Sequence, residues 1–177
     1  KINKVFKLFA KKNSTVVPWK CEKMNVVIPM AGAGSRFASQ GYTFPKPLIE
    51  VDGKPMIQVV VENLNIDAQY TFIVQKDHYE KYSLQYLLNL IAPNCNIIQV
   101  EGVTEGAACT TLLAKKYINT NDPLIIANSD QFIKWNGSKS LYNFTSKKMD
   151  GAILTFEATH PKWSYAKCNN ENEVTEV

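Results

Sequence analysis

Short apolar runs alternate with amphipathic stretches along most of the chain. Residues 25–30 (NVVIPM), 71–74, 96–100, 124–127 and 152–156 are runs of four to six residues rich in valine, isoleucine and phenylalanine. Runs of this length and composition predict strands buried on both faces. The stretches between them carry helical spacing. A brief helix is expected over 35–40, with Gly41 in the stop position. Pro55 suits a helix start, and Met56, Val59, Val60 and Leu64 fit one buried face. Further helices are expected over 77–91, carrying Tyr79, Tyr82, Tyr86, Leu87 and Leu90, and over 106–117 and 138–147. Asp52 and Gly53 supply a turn.

Strands alternating with helices predict an α/β architecture: a mostly parallel sheet covered on both faces and connected by right-handed crossovers. In such a sheet ligands bind beyond the carboxyl ends of the strands. After Trp163 the pattern changes, and residues 165–168 and 173–177 flank an asparagine-rich turn, which predicts a hairpin. The beginning of the chain differs again. Ile2, Val5, Phe6 and Phe9 recur at helical spacing among lysines, so residues 1–23 are expected to form a basic amphipathic helix and arm, or the tail of an upstream region. Pro18 and Trp19 mark a linker, and residues 24–177 form the single domain.

Composition narrows the class. The chain has 177 residues, 45% hydrophobic and 20% charged, enough for one packed domain and inconsistent with global disorder, collagen or coiled coil. No apolar run approaches the roughly 18 residues that a membrane span needs, so no transmembrane segment is expected. Cys21, Cys95, Cys109 and Cys168 form no Cys-x-x-Cys pair, which disfavours a zinc site or disulfide framework and suits a reducing, cytoplasmic compartment. The net charge of +4 conceals an asymmetry: the first 23 residues carry +6, so the remaining 154 carry −2. No nucleic-acid partner is expected from a body that is nearly neutral.

Three polar clusters follow predicted strands. The first, Ala31-Gly32-Ala33-Gly34-Ser35-Arg36-Phe37, contains the only arginine of the chain. Small residues let backbone N–H groups approach phosphate oxygens, and a guanidinium grips them with a planar fork of donors. A plain tight turn is the alternative. The dinucleotide fingerprint needs a small residue where Phe37 stands, and the P-loop needs Gly-Lys-Ser/Thr, so neither motif fits. The second cluster is Phe44-Pro45-Lys46-Pro47-Leu48, in which two prolines are expected to hold Lys46 in extended backbone near a phosphate; a rigid linker is the alternative. The third is Ala127-Asn128-Ser129-Asp130, whose carboxylate could hold Mg²⁺ or simply cap the next loop. His78 and His160 lack ligand spacing, and Lys115-Lys116 and Lys147-Lys148 read as solvated faces.

Taken together, residues 31–37, 45–48 and 51–57 resemble the opening of the sugar-phosphate nucleotidyltransferases, or sugar-nucleotide pyrophosphorylases, and the resemblance covers Met24 to the end of the chain. It implies a Rossmann-like three-layer α/β/α fold of the GT-A-like nucleotidyltransferase type. It also implies transfer of a nucleoside monophosphate from an NTP to a sugar 1-phosphate, with release of pyrophosphate. On this resemblance Arg36 and Lys46 are the catalytic cations and Asp130 the Mg²⁺ ligand. Ala31, Gly32, Ala33, Gly34 and Ser35 line the NTP, and Glu101 and Gly106 lie where the base is read. Tyr165 and Ala166 resemble a sugar contact. Glu101 replaces a commoner glutamine; a carboxylate accepts hydrogen bonds and cannot donate, which favours a base offering donors. Asn128 and Ser129 replace a commoner Leu-Gly. A Glu-Lys-Pro segment and a second metal-binding aspartate do not appear, so the domain is expected to be incomplete at its C-terminus and this chain alone to turn over poorly. A homo-oligomer or an upstream domain is compatible with the arm. The rival readings are a cytidylyltransferase acting on phosphocholine or another non-sugar phosphate, and a non-catalytic nucleotide-binding or regulatory module of the same fold.

Overall fold

The computed structural model describes residues 3–8, 23–32, 44–146, 150–161 and 163–177, with the backbone alone for 3–8 and Thr145. In chain order the strands are β1 (Asn3–Leu8), β2 (Asn25–Pro29), β3 (Glu50–Val51), β4 (Lys54–Pro55), β5 (Gln69–Gln75), β6 (Asn96–Val100), β7 (Leu124–Ile126), β8 (Ala152–Glu157), β9 (Tyr165–Cys168) and β10 (Val174–Glu176). The helices are α1 (Met56–Leu64), α2 (Lys76–Lys81), α3 (Leu84–Ile91), α4 (Ala107–Leu112), α5 (Lys115–Ile118) and α6 (Gly137–Ser146), with a 3-10 turn at Lys46–Leu48. The helix expected over 35–40 lies outside the described residues.

The central sheet has the order β6-β5-β2-β7, and every neighbouring pair in it is parallel. Side chains alternate across it as strand geometry demands. Val26, Ile28, Phe72 and Val74 face one layer, where Ile57, Val60, Val61 and Leu64 of α1 and Leu84 and Leu88 of α3 cover them. Val27 and Ile73 face the other, against Ala31, Ala114 and Ile118. Helices therefore bury both faces, giving the expected three layers. Phe72, Ile28, Ile57 and Leu88 are fully buried, each worth roughly 1.5–3 kcal/mol relative to exposure.

Two expected helices take a different form. In α1 the buried positions are Ile57, Val60, Val61 and Leu64, a stripe that includes Ile57 and Val61, while Met56 and Val59 are only half-buried. The helix expected over 77–91 is two, broken at Ser83, whose φ of 49° is left-handed. The break resets the helical phase, so Leu84 and Leu88 point inward while Tyr86 and Leu90 are exposed. Helix 106–117 is likewise split into α4 and α5.

The N-terminal segment is a strand and not the expected amphipathic helix. β1 pairs antiparallel with β8 from Asn3↔Glu157 to Leu8↔Ala152, and with β9 at Asn3↔Ala166 and Lys4↔Tyr165. It thus lies inside a second sheet, β10-β9-β1-β8, and beside β7. Apolar residues at 2, 5, 6 and 9 cannot by themselves separate helix from strand over so few residues. Backbone pairing on both sides, with partners some 150 positions away, decides the matter. The hairpin expected near the C-terminus is present as β9 and β10, with Asn172 in its turn at φ 63°. Asp52 and Gly53, at φ 50° and 77°, form the two-residue turn between β3 and β4.

Candidate functional site

Because the four central strands are parallel, their carboxyl ends share one edge. Gly32 follows β2, Gln75 ends β5, Glu101 follows β6, and Asn128-Ser129-Asp130 follow β7. The strand order reverses between β2 and β7, since the chain visits β2, β5 and β6 in one direction and then returns to β7. A reversal of this kind leaves a crevice above the sheet. Ala31 and Gly32 of the first cluster, and the second and third clusters, border it.

The first loop leaves β2 through Ala31, which is buried in the second core cluster, and Gly32, which is exposed. A Cβ placed on Gly32 would meet nothing within 4 Å among the described residues. None of the described residues therefore packs against this position, which suits a loop that a ligand approaches closely. Ala33, Gly34, Ser35 and Arg36 lie outside the described residues.

Lys46 does not lie in the extended backbone expected of it. It opens a 3-10 turn, in which Leu48 N–H donates to Pro45 O at 2.8 Å and Ile49 N–H to Lys46 O at 3.3 Å. Pro45 carries the extended conformation, and Pro47 sits in the first turn, where its missing N–H is not needed. Rigidity is kept by a different geometry. Phe44 packs against Tyr82 of the α2–α3 connection, the rings tilted by 50° with centroids 5.6 Å apart, and Tyr82 lies 6.1 Å from the His78 ring. Pro45, Pro47, Met30, Gln75 and His78 line a small cavity beneath the turn. Burial holds the His78 imidazole below its ordinary pKa, with Asp77 opposing and Lys81 reinforcing the shift.

From this turn the Lys46 ammonium forms an ion pair with Asp130 Oδ2. The second and third clusters are thereby brought together across the crevice. Both side chains remain partly accessible, 32% and 26%. The loop carrying Asp130 is braced from α1: Asn63 Nδ2 donates to Ile133 O at 2.9 Å while Ile133 N–H donates to Asn63 Oδ1 at 2.8 Å. The Trp135 indole N–H donates to Asn63 O at 3.2 Å. This double clamp holds the chain three residues after Asp130.

At the far side of the edge, Glu101 Oε1 accepts from Lys76 Nζ at 3.2 Å, and its side chain is 84% exposed. Gly106 lies nearby in sequence at the start of α4. Its carbonyl accepts from Thr110 N–H and Thr110 Oγ1, each at 3.0 Å, and from Thr104 Oγ1 at 3.4 Å. A Cβ on Gly106 would also meet nothing within 4 Å among the described residues. Tyr165 and Ala166 sit in β9 of the second sheet; Ala166 is fully buried and Tyr165 Oη donates to His160 O at 2.7 Å.

Sequence reasoning passed over Gln75, Lys76 and Asn63. A lone asparagine in an apolar helix and a glutamine ending a strand were the only available signals. Gln75 Nε2 donates to Ala31 O at 2.8 Å and lies 3.4 Å from Gly32 O. Among the described residues no group of three His, Cys, Asp or Glu side chains could hold a metal by itself, and no helix is long and apolar enough to cross a membrane.

Residues 25–176 match the nucleotidyl transferase family. Over 143 residues the chain is 31% identical to a mannose-1-phosphate guanyltransferase of Aspergillus oryzae, covering 78% of this chain and 39% of that protein. It is 28% identical over 155 residues to the bifunctional protein GlmU of Methanocaldococcus jannaschii, covering 87% of this chain and 35% of that protein. The chain thus spans little more than a third of the length of these relatives. The solved structure of a UDP-glucose pyrophosphorylase from Acinetobacter baumanii superposes with a TM-score of 0.54 at 20% identity, covering 71% of this chain and 54% of that one, a likeness of fold. On the extent of the family match, the chain belongs to the nucleotidyl transferase family.

Proposed function

We propose that this edge binds a nucleoside triphosphate and supports transfer of its nucleoside monophosphate to a sugar 1-phosphate, releasing pyrophosphate. The observation that carries the proposal is the Lys46–Asp130 ion pair at the strand-order reversal, beside the open loop at Gly32. An ammonium and a carboxylate held together at the ligand edge of a parallel sheet suit a polyanion that needs neutralising and a cation that needs an oxygen ligand. One relative is named a mannose-1-phosphate guanyltransferase, which supports the choice of acceptor.

In this reading an oxygen of the acceptor phosphate forms a new bond to the α-phosphorus, and the bond from that phosphorus to the bridging oxygen breaks as pyrophosphate departs with the electron pair. The attacking oxygen is already anionic near neutral pH, so the chain needs no general base. The Lys46 ammonium offsets charge on the phosphates, and Arg36 is assigned the same work from its place in the first loop. Gly32 leaves room for the phosphates to approach the backbone. Asp130 fits a hard divalent cation: it is an accessible carboxylate at the crevice, and Mg²⁺ is commonly held by one or two carboxylates together with substrate phosphates. When bound, Mg²⁺ would supply further charge neutralisation at the triphosphate. Glu101 and Gly106 are assigned to the base, and Tyr165 and Ala166 to the sugar. A cytoplasmic setting accords with these substrates.

The test is pyrophosphate release by a protein extended past residue 177 to the full length of the relatives, measured with CTP, UTP, GTP and dTTP against hexose 1-phosphates and, as the competing class, phosphocholine. Release that depends on a sugar 1-phosphate supports the proposal; release only with phosphocholine, or with none, contradicts it. Glu101→Gln should alter the ranking of the four nucleotides, because it gains a donor and loses its pairing charge for Lys76. Identical relative rates in the variant would remove Glu101 from base recognition.

A further inference from the structure

We infer that Gln75 is a positioning residue, setting the direction of the backbone N–H that the first loop offers to the triphosphate. The inference rests on the nucleotide-binding reading of this edge. Pairing between β2 and β5 runs in register to Pro29↔Ile73 and ends with Met30 N–H donating to Ile73 O at 2.9 Å. Beyond that point the loop has left the sheet. There the Gln75 side chain takes over from the ladder, its amide donating to Ala31 O at 2.8 Å with Gly32 O at 3.4 Å.

A trans peptide is planar, with its C=O and N–H directed oppositely. Fixing the Ala31 carbonyl toward Gln75 therefore turns the Gly32 N–H away from β5. On Gly32 itself an added Cβ would meet only open space among the described residues. An N–H presented beside such space is what a phosphate oxygen can use, and orienting it in advance removes an ordering cost from binding. Gln75 also lines the cavity beneath the Lys46 turn together with Pro45 and Pro47. One side chain thus touches the first loop and packs under the second, which sets their spacing. Hydrogen-bond donation is the property required, since both atoms facing the amide are carbonyl oxygens.

The experiment compares wild-type protein with Gln75→Met, Gln75→Glu and Gln75→Lys. Calorimetric titration with the Mg²⁺ complexes of CTP, UTP, GTP and dTTP is read beside the melting temperature and amide exchange over residues 30–34. Met removes the donor at similar size, Glu replaces it with an acceptor, and Lys restores a donor. We expect Met to weaken nucleotide binding about tenfold, the scale of one hydrogen bond's contribution, Glu to weaken it more, and Lys to recover most of the loss. Amide exchange at Gly32 should rise in Met and Glu while the melting temperature moves little. Wild-type affinity in both Met and Glu, or equal losses in Met and Lys, would overturn the role of Gln75 and leave the nucleotide site standing. No binding by the wild-type protein would overturn the nucleotide site, and the role of Gln75 with it.

Discussion

Replacing Lys46 with methionine separates a stabilising role for the ion pair from a chemical one. Methionine keeps the unbranched stem and removes the charge. With 32% and 26% of the two side chains exposed, water screens the pair, and such pairs contribute up to about 1 kcal/mol to folding. For a domain of this size that corresponds to a shift of about 2–4 °C in melting temperature. The proposed catalytic role predicts a far larger effect. Removing one preorganised contact to developing charge typically costs about 10²- to 10³-fold in turnover, or about 2.7–4 kcal/mol. Lys46→Met should therefore melt within a few degrees of wild type, while in the full-length protein pyrophosphate release falls at least 100-fold. Differential scanning calorimetry and a coupled pyrophosphate assay on the same preparations give both numbers. A variant that releases pyrophosphate within threefold of wild type would refute the reasoning, whatever its melting temperature.

Two other perturbations test the supports of the site. Asn63→Ala strips partners from both Ile133 N–H and Ile133 O but leaves the Trp135 bond, whose acceptor is main chain; we expect a loss of about 1–3 kcal/mol in urea unfolding, and an unchanged midpoint would show that the clamp carries no load. His78 should make stability pH-dependent in a defined direction. Burial lowers its pKa in the folded chain, so as pH falls below its ordinary value of 6.5 the unfolded chain binds the proton first and stability declines, while above that value the contribution is constant. Unfolding at pH 7.5 and 5.5 should show a larger acid loss for wild type than for His78→Gln, and equal losses would contradict the assignment.

The parallel core was legible because its physics is local. Strands buried on both faces must be short and apolar, and β6 begins and ends at the residues expected. Gly32, Lys46 and Asp130 stood out in the sequence as small or charged residues in polar clusters, and the structure pairs Lys46 with Asp130. What escaped depends on partners remote in sequence. β1 is a strand because β8 and β9 flank it, and nothing within residues 3–8 reports on residues 152–168. The break at Ser83 turns Leu84 and Leu88 of α3 inward and leaves Tyr86 and Leu90 exposed, since one left-handed residue rephases everything after it. Lys46 entered a 3-10 turn because Pro47 tolerates a first turn as well as an extended chain. The clamps from Asn63 and Gln75 join positions 70 and 43 or more residues apart, and amide side chains carry no signal of which backbone they will meet.

Where a triphosphate sits decides the function of this edge. A crystal structure of the protein with Mg²⁺ and a non-hydrolysable nucleoside triphosphate should place phosphate oxygens within hydrogen-bonding distance of both Lys46 Nζ and the Gly32 N–H, with Asp130 on the cation. A nucleotide bound elsewhere, with the Lys46–Asp130 pair undisturbed and no phosphate at Gly32, would contradict that placement.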